Sequence, residues 1–314
     1  MRRGLALLSL AAILATTAAL ATPAPSATPR VAGCPVFPAT NAWNQRVDRL
    51  PVARNSTTLI RSIDLSAHVH ADFGSGTWDG GPIGIPYTLV GAGQRRVSVS
   101  FDYASESDRG PYPIPRNARI EGGPRATGDR HVLIVDKTAC KLYELFDAHP
   151  LDAGRSWHAG SGATWNLRSN HLRPKTWTSA DAAGLPILPG LARYDEVAQG
   201  AILHALRFTA PRTRRAFVWP ARHQAGASSS PALPPMGLRV RLKRTANLRG
   251  LPRQAKIVAL AMQRYGLMLA DNGSPWYVSG APDPRWSNGQ LHALDRFTGK
   301  DFEVVDASAL RHAR

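Results

Sequence analysis

The sequence predicts a mainly β fold: a single β-sandwich or jelly-roll-like domain with a few peripheral helices. Three observations carry that expectation. The middle of the chain holds short β-rich or alternating runs separated by glycine, proline and asparagine. Clear helical periodicity is confined to a few late segments. No charge run or low-complexity linker divides residues 34–314, so they read as one β-rich domain. A general α+β sheet is the alternative.

Taken in order, residues 1–21 read as a signal peptide. Arg2 and Arg3 precede an apolar run that closes on the small residues Ala19 and Ala21. That run is shorter than the ~20 apolar residues a spanning helix needs, so no stable membrane anchor is expected. Residues 22–33, rich in Pro, Ala and Thr, read as a disordered leader. The protein is expected to be secreted. Its two cysteines, Cys34 and Cys140, then form a disulfide or stay as two buried thiols. A disulfide would close a loop of roughly 100 residues, worth about 4–5 kcal/mol in the chain-entropy model.

RRVSVSFDYA (95–104) alternates as a strand does. Residues 131–136 and 141–146 read as a hairpin around a turn at 137–140. RAFVWPARH (215–223) and GLRVRLKR (237–244) read as strands, the second with Leu238, Val240 and Leu242 on one face and cations on the other. Residues 267–280 read as a hairpin about Asn272-Gly273. DFEVVD (301–306) is placed to close the sheet. Helices are expected over 194–208, over 252–266 with Pro252 at its start and Gly266 at its end, and over 289–297. Long loops remain at 104–130, 154–193 and 222–236.

A formal charge of +17 rests mostly on arginine, with local clusters at 212–215 and 239–244. Two readings compete: an anionic partner, or the compositional bias of an arginine- and alanine-rich chain. The expected partner is an extracellular polysaccharide or cell-wall polymer, anionic on the first reading. Specific nucleic-acid recognition is not expected, because the arginines are otherwise spread along the chain.

Candidate chemistry begins at HVHADFGSGTWDGG (68–81). His68, His70 and Asp72 share one face of an extended strand. They form a metal site, a polar strand facing a groove, or an exposed strand without function. No cofactor is expected; a metal at these three residues is the minority reading. Glu144 lies on a strand whose two faces are both largely apolar, so it is desolvated in a cleft or paired with an arginine. His131, on the paired strand, is in reach of it. Most of the eight tryptophans sit in loops of small and polar residues, where indole faces either stack on sugars or anchor their loops.

Paired carboxylates near such rings point to acid–base glycan cleavage by a glycoside hydrolase or a polysaccharide lyase. The expected catalytic residues are Asp72 and Glu144 as base and acid, with Asp102 and His131 in support. Asp79, Asp129 and Asp181 stand behind them, and Asp271 is assigned to its turn. The expected substrate-binding residues are His68, His70, Trp78 and Trp165. A non-catalytic glycan- or wall-binding protein and a metal-dependent hydrolase are the alternatives. There is no Gly-x-Ser-x-Gly elbow, phosphate-binding loop or zinc-finger spacing.

Two resemblances accompany these residues. HVLIVDKTACKLYELFDA looks locally like the opening hairpin of L,D-transpeptidase domains. Neither cysteine has the Ser-x-Gly-Cys-x-Arg setting of that family, so no catalysis is inferred from it. Over roughly residues 34–306 the chain resembles a family of secreted bacterial proteins of the actinobacterial type. IGIPYTLV, GDRHVLIVD, WTSADAAGLPILPGLARYDEV, HALRFTAPRTRRAFVWPARH and DNGSPWYVSGAPDPRW carry that resemblance. It implies export and assigns no catalytic residue.

Overall fold

The hairpin expected over 131–146 stands at the middle of the protein. The structure, a computed structural model, describes residues 28–312. In chain order its strands are β1 (Arg30–Val31), β2 (Cys34–Pro35), β3 (His70–Asp72), β4 (Thr77–Trp78), β5 (Gly81–Pro82), β6 (Tyr87–Val90), β7 (Ser98–Phe101), β8 (Val132–Asp136), β9 (Lys141–Phe146), β10 (His149–Leu151), β11 (Ser156–Ala159), β12 (Ser161–Asn166), β13 (Leu206–Ala210), β14 (Arg239–Leu242), β15 (Leu267–Asn272), β16 (Tyr277–Ser279) and β17 (Phe302–Val304). The α-helices are α1 (Ser56–Ile63), α2 (Tyr194–Ala198), α3 (Arg253–Arg264) and α4 (Asn288–Leu291). Strand outweighs helix, 27% against 18%, so the fold is mainly β.

A four-stranded sheet, β12-β9-β8-β6, is covered on both faces. Leu133, Val135, Leu142, Ala163 and Trp165 enter the large core shared with a six-stranded sheet. Val132, Ile134, Tyr143 and Leu145 enter a second core with Tyr112, Ile114 and Trp157. Part of that second core comes from the three-stranded sheet β10-β11-β7. Burial on both faces explains why 132–135 is an unbroken apolar run rather than an alternating one. The expected loop over 154–193 therefore contains two strands, β11 and β12.

The six-stranded sheet runs β17-β14-β15-β13-β16-β3 and corrects two expectations. β15 and β16 flank the Asn272-Gly273 turn but do not form a hairpin. β13 lies between them, parallel to β15 and antiparallel to β16. The turn is instead tied to β13: Gly273 N–H donates to the Ala210 carbonyl at 3.1 Å, and Thr209 Oγ1 donates to the Ser274 carbonyl at 2.7 Å. The expected helix over 194–208 stops at Ala198. Gly200 takes φ +96°, a conformation that ends a helix at little cost, and Leu206–Ala210 turns to strand. Residues 215–223 make one isolated bridge, Phe217 to Met236, rather than a strand; Pro220 has no N–H to give a ladder. Helix α3 forms as expected and packs against β14, while α4 with the short 3₁₀ turn His292–Arg296 fills the expected 289–297 segment. At Gly266, φ +73° and only 2.2 Å between an added Cβ and the Val240 carbonyl oxygen leave no room for a side chain.

β14 is also a correction. Leu238, Val240 and Leu242 face the core as expected, but Arg239 and Arg241 are buried as well. The segment over residues 42–50 covers them. Arg239 donates to the carbonyls of Tyr265, Ala42 and Gln45 at 2.8, 3.0 and 3.2 Å. Arg241 donates to those of Val47 and Leu50 and pairs with Glu303 at 2.8 Å.

Residues 1–21 and the first part of the leader lie outside the described residues. The end of the leader, expected to be disordered, is ordered: Arg30–Val31 pairs with Cys34–Pro35. Cys34 and Cys140 form a disulfide, with Cα atoms 5.4 Å apart, tying this ribbon to the β8–β9 turn. The bond places the protein in an oxidising compartment. No helix among the described residues is long and apolar enough to cross a membrane.

Candidate functional site

The segment over residues 179–188 runs between the four- and six-stranded sheets and is fastened to both by ionic side chains. On one side, Glu144 sits between Leu133 and Ala163 on its sheet face. Its carboxylate accepts the Ile187 N–H at 2.9–3.0 Å and the Leu188 N–H at 2.9 Å. Just before β8, His131 donates Nε2–H to the Ala180 carbonyl at 2.9 Å and Nδ1–H to Glu121 at 2.5 Å. With both ring nitrogens donating, His131 is an imidazolium. Burial opposes that charge, but Glu121 outweighs it and holds the ring at about 9.

On the other side, Arg207 of β13 grips Asp181. Nε and Nη2 each donate to one carboxylate oxygen at 2.9 Å, the two-pronged pairing that suits a guanidinium. Nη2 also donates to Asp271 of β15 at 3.0 Å, and Nη1 to Ser279 Oγ of β16 at 2.8 Å. Burial works against this cation, yet Asp181 and Asp271 keep it firmly protonated. Two carboxylates thus share one guanidinium. Asp181 takes the better geometry. Burial and the Asp181 charge push the Asp271 carboxyl up to about 7, against the pull of Arg207.

Asp271 is not sealed in. It lines a cleft of about 390 Å³ together with Asp181, Asp129, Glu106, His223 and Tyr103. Asp129 is exposed there, and Glu106 accepts the Thr178 N–H at 2.9 Å. The cleft brings Glu106, Asp129 and Asp271 together with a phenol and an imidazole, while the Asp181 carboxylate is 0% exposed and turned to Arg207.

The structure distributes the expected residues differently. Glu144 is 0% exposed and lines no part of this cleft; neither a guanidinium nor His131 binds it. Backbone N–H groups do, in place of either expected partner. Asp72 is exposed on the edge strand β3, its Cα opposite Ser279, and does not line the cleft either. Crowding strips enough water from Asp72 to push its carboxyl up, with Glu121 adding like charge and His70 and Arg207 opposing. Asp102 is exposed and meets His158 at 3.2 Å on the three-stranded sheet. His68 Nδ1 bonds the Asp295 carbonyl, and His70 lies over the Tyr277 ring, centroids 4.3 Å apart. Among the described residues no cluster of His, Cys, Asp or Glu is placed to hold a metal ion.

Nor do the two expected indoles wall a common trough. Trp78 is 79% exposed on the β4–β5 ribbon. Trp165 is 5% exposed, in the core beneath the Arg173 guanidinium at 5.7 Å. Sequence reasoning missed Arg207 and Glu121 altogether. A lone arginine in HALRFTA was a usable signal, because a cation inside an apolar strand demands a carboxylate partner.

The network has a pH signature. Burial pushes Glu144 up to about 7, against its two N–H donors. A carboxyl raised on folding binds its proton better when folded, so Glu144 and Asp271 make stability fall as pH rises from about 4 to 7. His131, raised to about 9, contributes stability that is full below about 6.5 and lost as pH passes 9. Urea unfolding at pH 5, 7 and 9 should show declining stability. Glu144→Gln should flatten the pH 5–7 portion; an unchanged slope there would refute the assignment.

Comparison with protein-family models, curated proteins and solved structures returns no match.

Proposed function

We propose that the protein is exported and cleaves an extracellular polysaccharide by carboxylate acid–base chemistry in the Asp271 cleft. One observation carries this reading: Asp271 lines an open cleft, its ionisation disfavoured, together with the exposed Asp129. An acid half-protonated near neutrality donates to a leaving glycosidic oxygen most effectively. The exposed Asp129 takes the proton of the attacking water, whose oxygen bonds the anomeric carbon. Arg207 and Asp181 are positioning residues that set the Asp271 proton affinity. The disulfide supports export. This assignment moves the acid–base pair from Asp72 and Glu144 to residues that line one cleft.

A glycan-binding role without turnover is the second reading, favoured by the exposed Trp78 indole. One experiment separates the two. Release of reducing ends or unsaturated products from a panel of neutral and acidic polysaccharides is measured for the wild type and Asp271→Asn. The acid–base reading expects the variant to lose about 10²–10⁴-fold in kcat while retaining binding. A wild type that binds glycan but releases no product from any member of the panel leaves the binding reading.

A further inference from the structure

A second cleft, of about 1000 Å³, opens on the far side of the segment that carries Arg222 and His223: Arg222 lines this cleft, His223 the acidic one. Its lining is basic. Arg54, Lys175, Arg214, Arg215, Arg222 and Arg311 reach it from four separate parts of the chain, with Asp306 as the one carboxylate lining it among the described residues. None of these six cations forms a salt bridge among the described residues, although arginines elsewhere do so readily. Asp306 is turned to its own neighbour, accepting the Ser308 N–H at 3.0 Å.

Two buried groups show that the charge reaches into the walls. Arg239, which also lines the cleft, is 4% exposed, and its donors meet only carbonyls. Burial pulls its guanidinium down with no carboxylate opposing. Arg214 Nε is buried and makes no hydrogen bond. Burying unneutralised cations is costly unless an anion compensates them. Phe217 and Trp219 line the same cleft, half-buried between the arginines. That is the mixture of flat apolar faces and forked donors that suits rings bearing carboxylates.

We propose that this basic cleft binds an extended polyanionic glycan, a chain of uronate-type residues, through several acidic groups at once. A volume of this size with cations on several sides exceeds what one small anion needs. The proposal specifies the substrate class of the neighbouring site and to that extent rests on the polysaccharide reading. Glycan rather than nucleic acid is the occupant because the disulfide places the protein in an oxidising compartment. The +17 charge is then partly functional rather than only compositional.

The test measures binding of the full chain to polygalacturonate, neutral dextran and oligo-dT at several salt concentrations. The cleft variant Arg54→Gln/Lys175→Gln/Arg215→Gln changes exposed side chains only. A control, Arg95→Gln/Arg109→Gln/Arg125→Gln, removes equal charge from exposed positions outside the cleft. Polygalacturonate should bind, weaken steeply with salt, and lose about tenfold or more in the cleft variant but much less in the control. Dextran should not compete. Equal losses in both variants would assign binding to net charge and overturn the proposal, as would salt-independent binding or a preference for oligo-dT. Asp271→Asn should bind polygalacturonate like the wild type. A wild type that binds polygalacturonate but turns over no polysaccharide sinks the catalytic reading and leaves this one standing.

Discussion

Arg207→Met should lower the free energy of unfolding by about 3–5 kcal/mol, a large part of the stability of a typical domain. Methionine fills most of the space and carries no charge. Asp181, whose side chain is 0% exposed, would lose both of its guanidinium bonds and remain as an uncompensated buried carboxylate. Asp271 and Ser279 would lose a donor at the same time. The neutral double variant Arg207→Met/Asp181→Asn should recover part of the loss, since no buried charge is then left unpaired. Urea midpoints of the wild type and both variants measure this. A single variant within about 1 kcal/mol of the wild type would show that the ion pair does not fasten the 179–188 segment.

Cys34→Ala/Cys140→Ala should cost about 4–5 kcal/mol by a different route. The bond closes a sequence separation of 106 residues. Removing it mainly frees the unfolded chain and leaves the native contacts of the ribbon and turn in place. The variant should therefore show a larger denaturant slope than the wild type, because its unfolded state exposes more surface. Wild type unfolded under reducing conditions should approach the variant. A loss below about 1 kcal/mol would mean that the unfolded chain is already held together without the bond. Because no titrating group is touched, the pH 5–9 decline in stability should persist in this variant.

The fold was legible where contacts close locally. The 132–146 hairpin needed only two β-rich runs and a four-residue turn, and Asp136 completes that turn by accepting the Thr138 and Ala139 N–H groups. Helix α3 needed only its own apolar face, Pro252 and Gly266. The same reasoning failed at Asn272-Gly273, where a strand some sixty residues earlier in the chain takes the place between β15 and β16. It failed at 215–223, where the bridge from Phe217 to Met236 does not extend into a ladder and Pro220 has no N–H to give.

The candidate site divided in the same manner. Two apolar faces around Glu144 left a desolvated carboxyl and an arginine pair both open; it is buried, and its partners are backbone groups more than forty residues away. Asp271 belongs to its turn, as its bond to the Asn272 N–H at 2.7 Å shows, and also to the cleft. Arg207 was absorbed into an expected helix, so the residue that organises the carboxylates went unseen.

By itself the sequence determined the disulfide partners, since only two cysteines exist, along with the central hairpin, helix α3 and the excess of positive charge. Tertiary structure alone decided strand order, the burial of Arg239 and Arg241, and which carboxylates meet Arg207. The reason is energetic. Local turns and helices are selected by hydrogen bonds and packing within one short segment. Buried charges must instead find partners wherever folding brings them, here 26 and 64 residues apart, because leaving them unpaired costs more than any local preference returns.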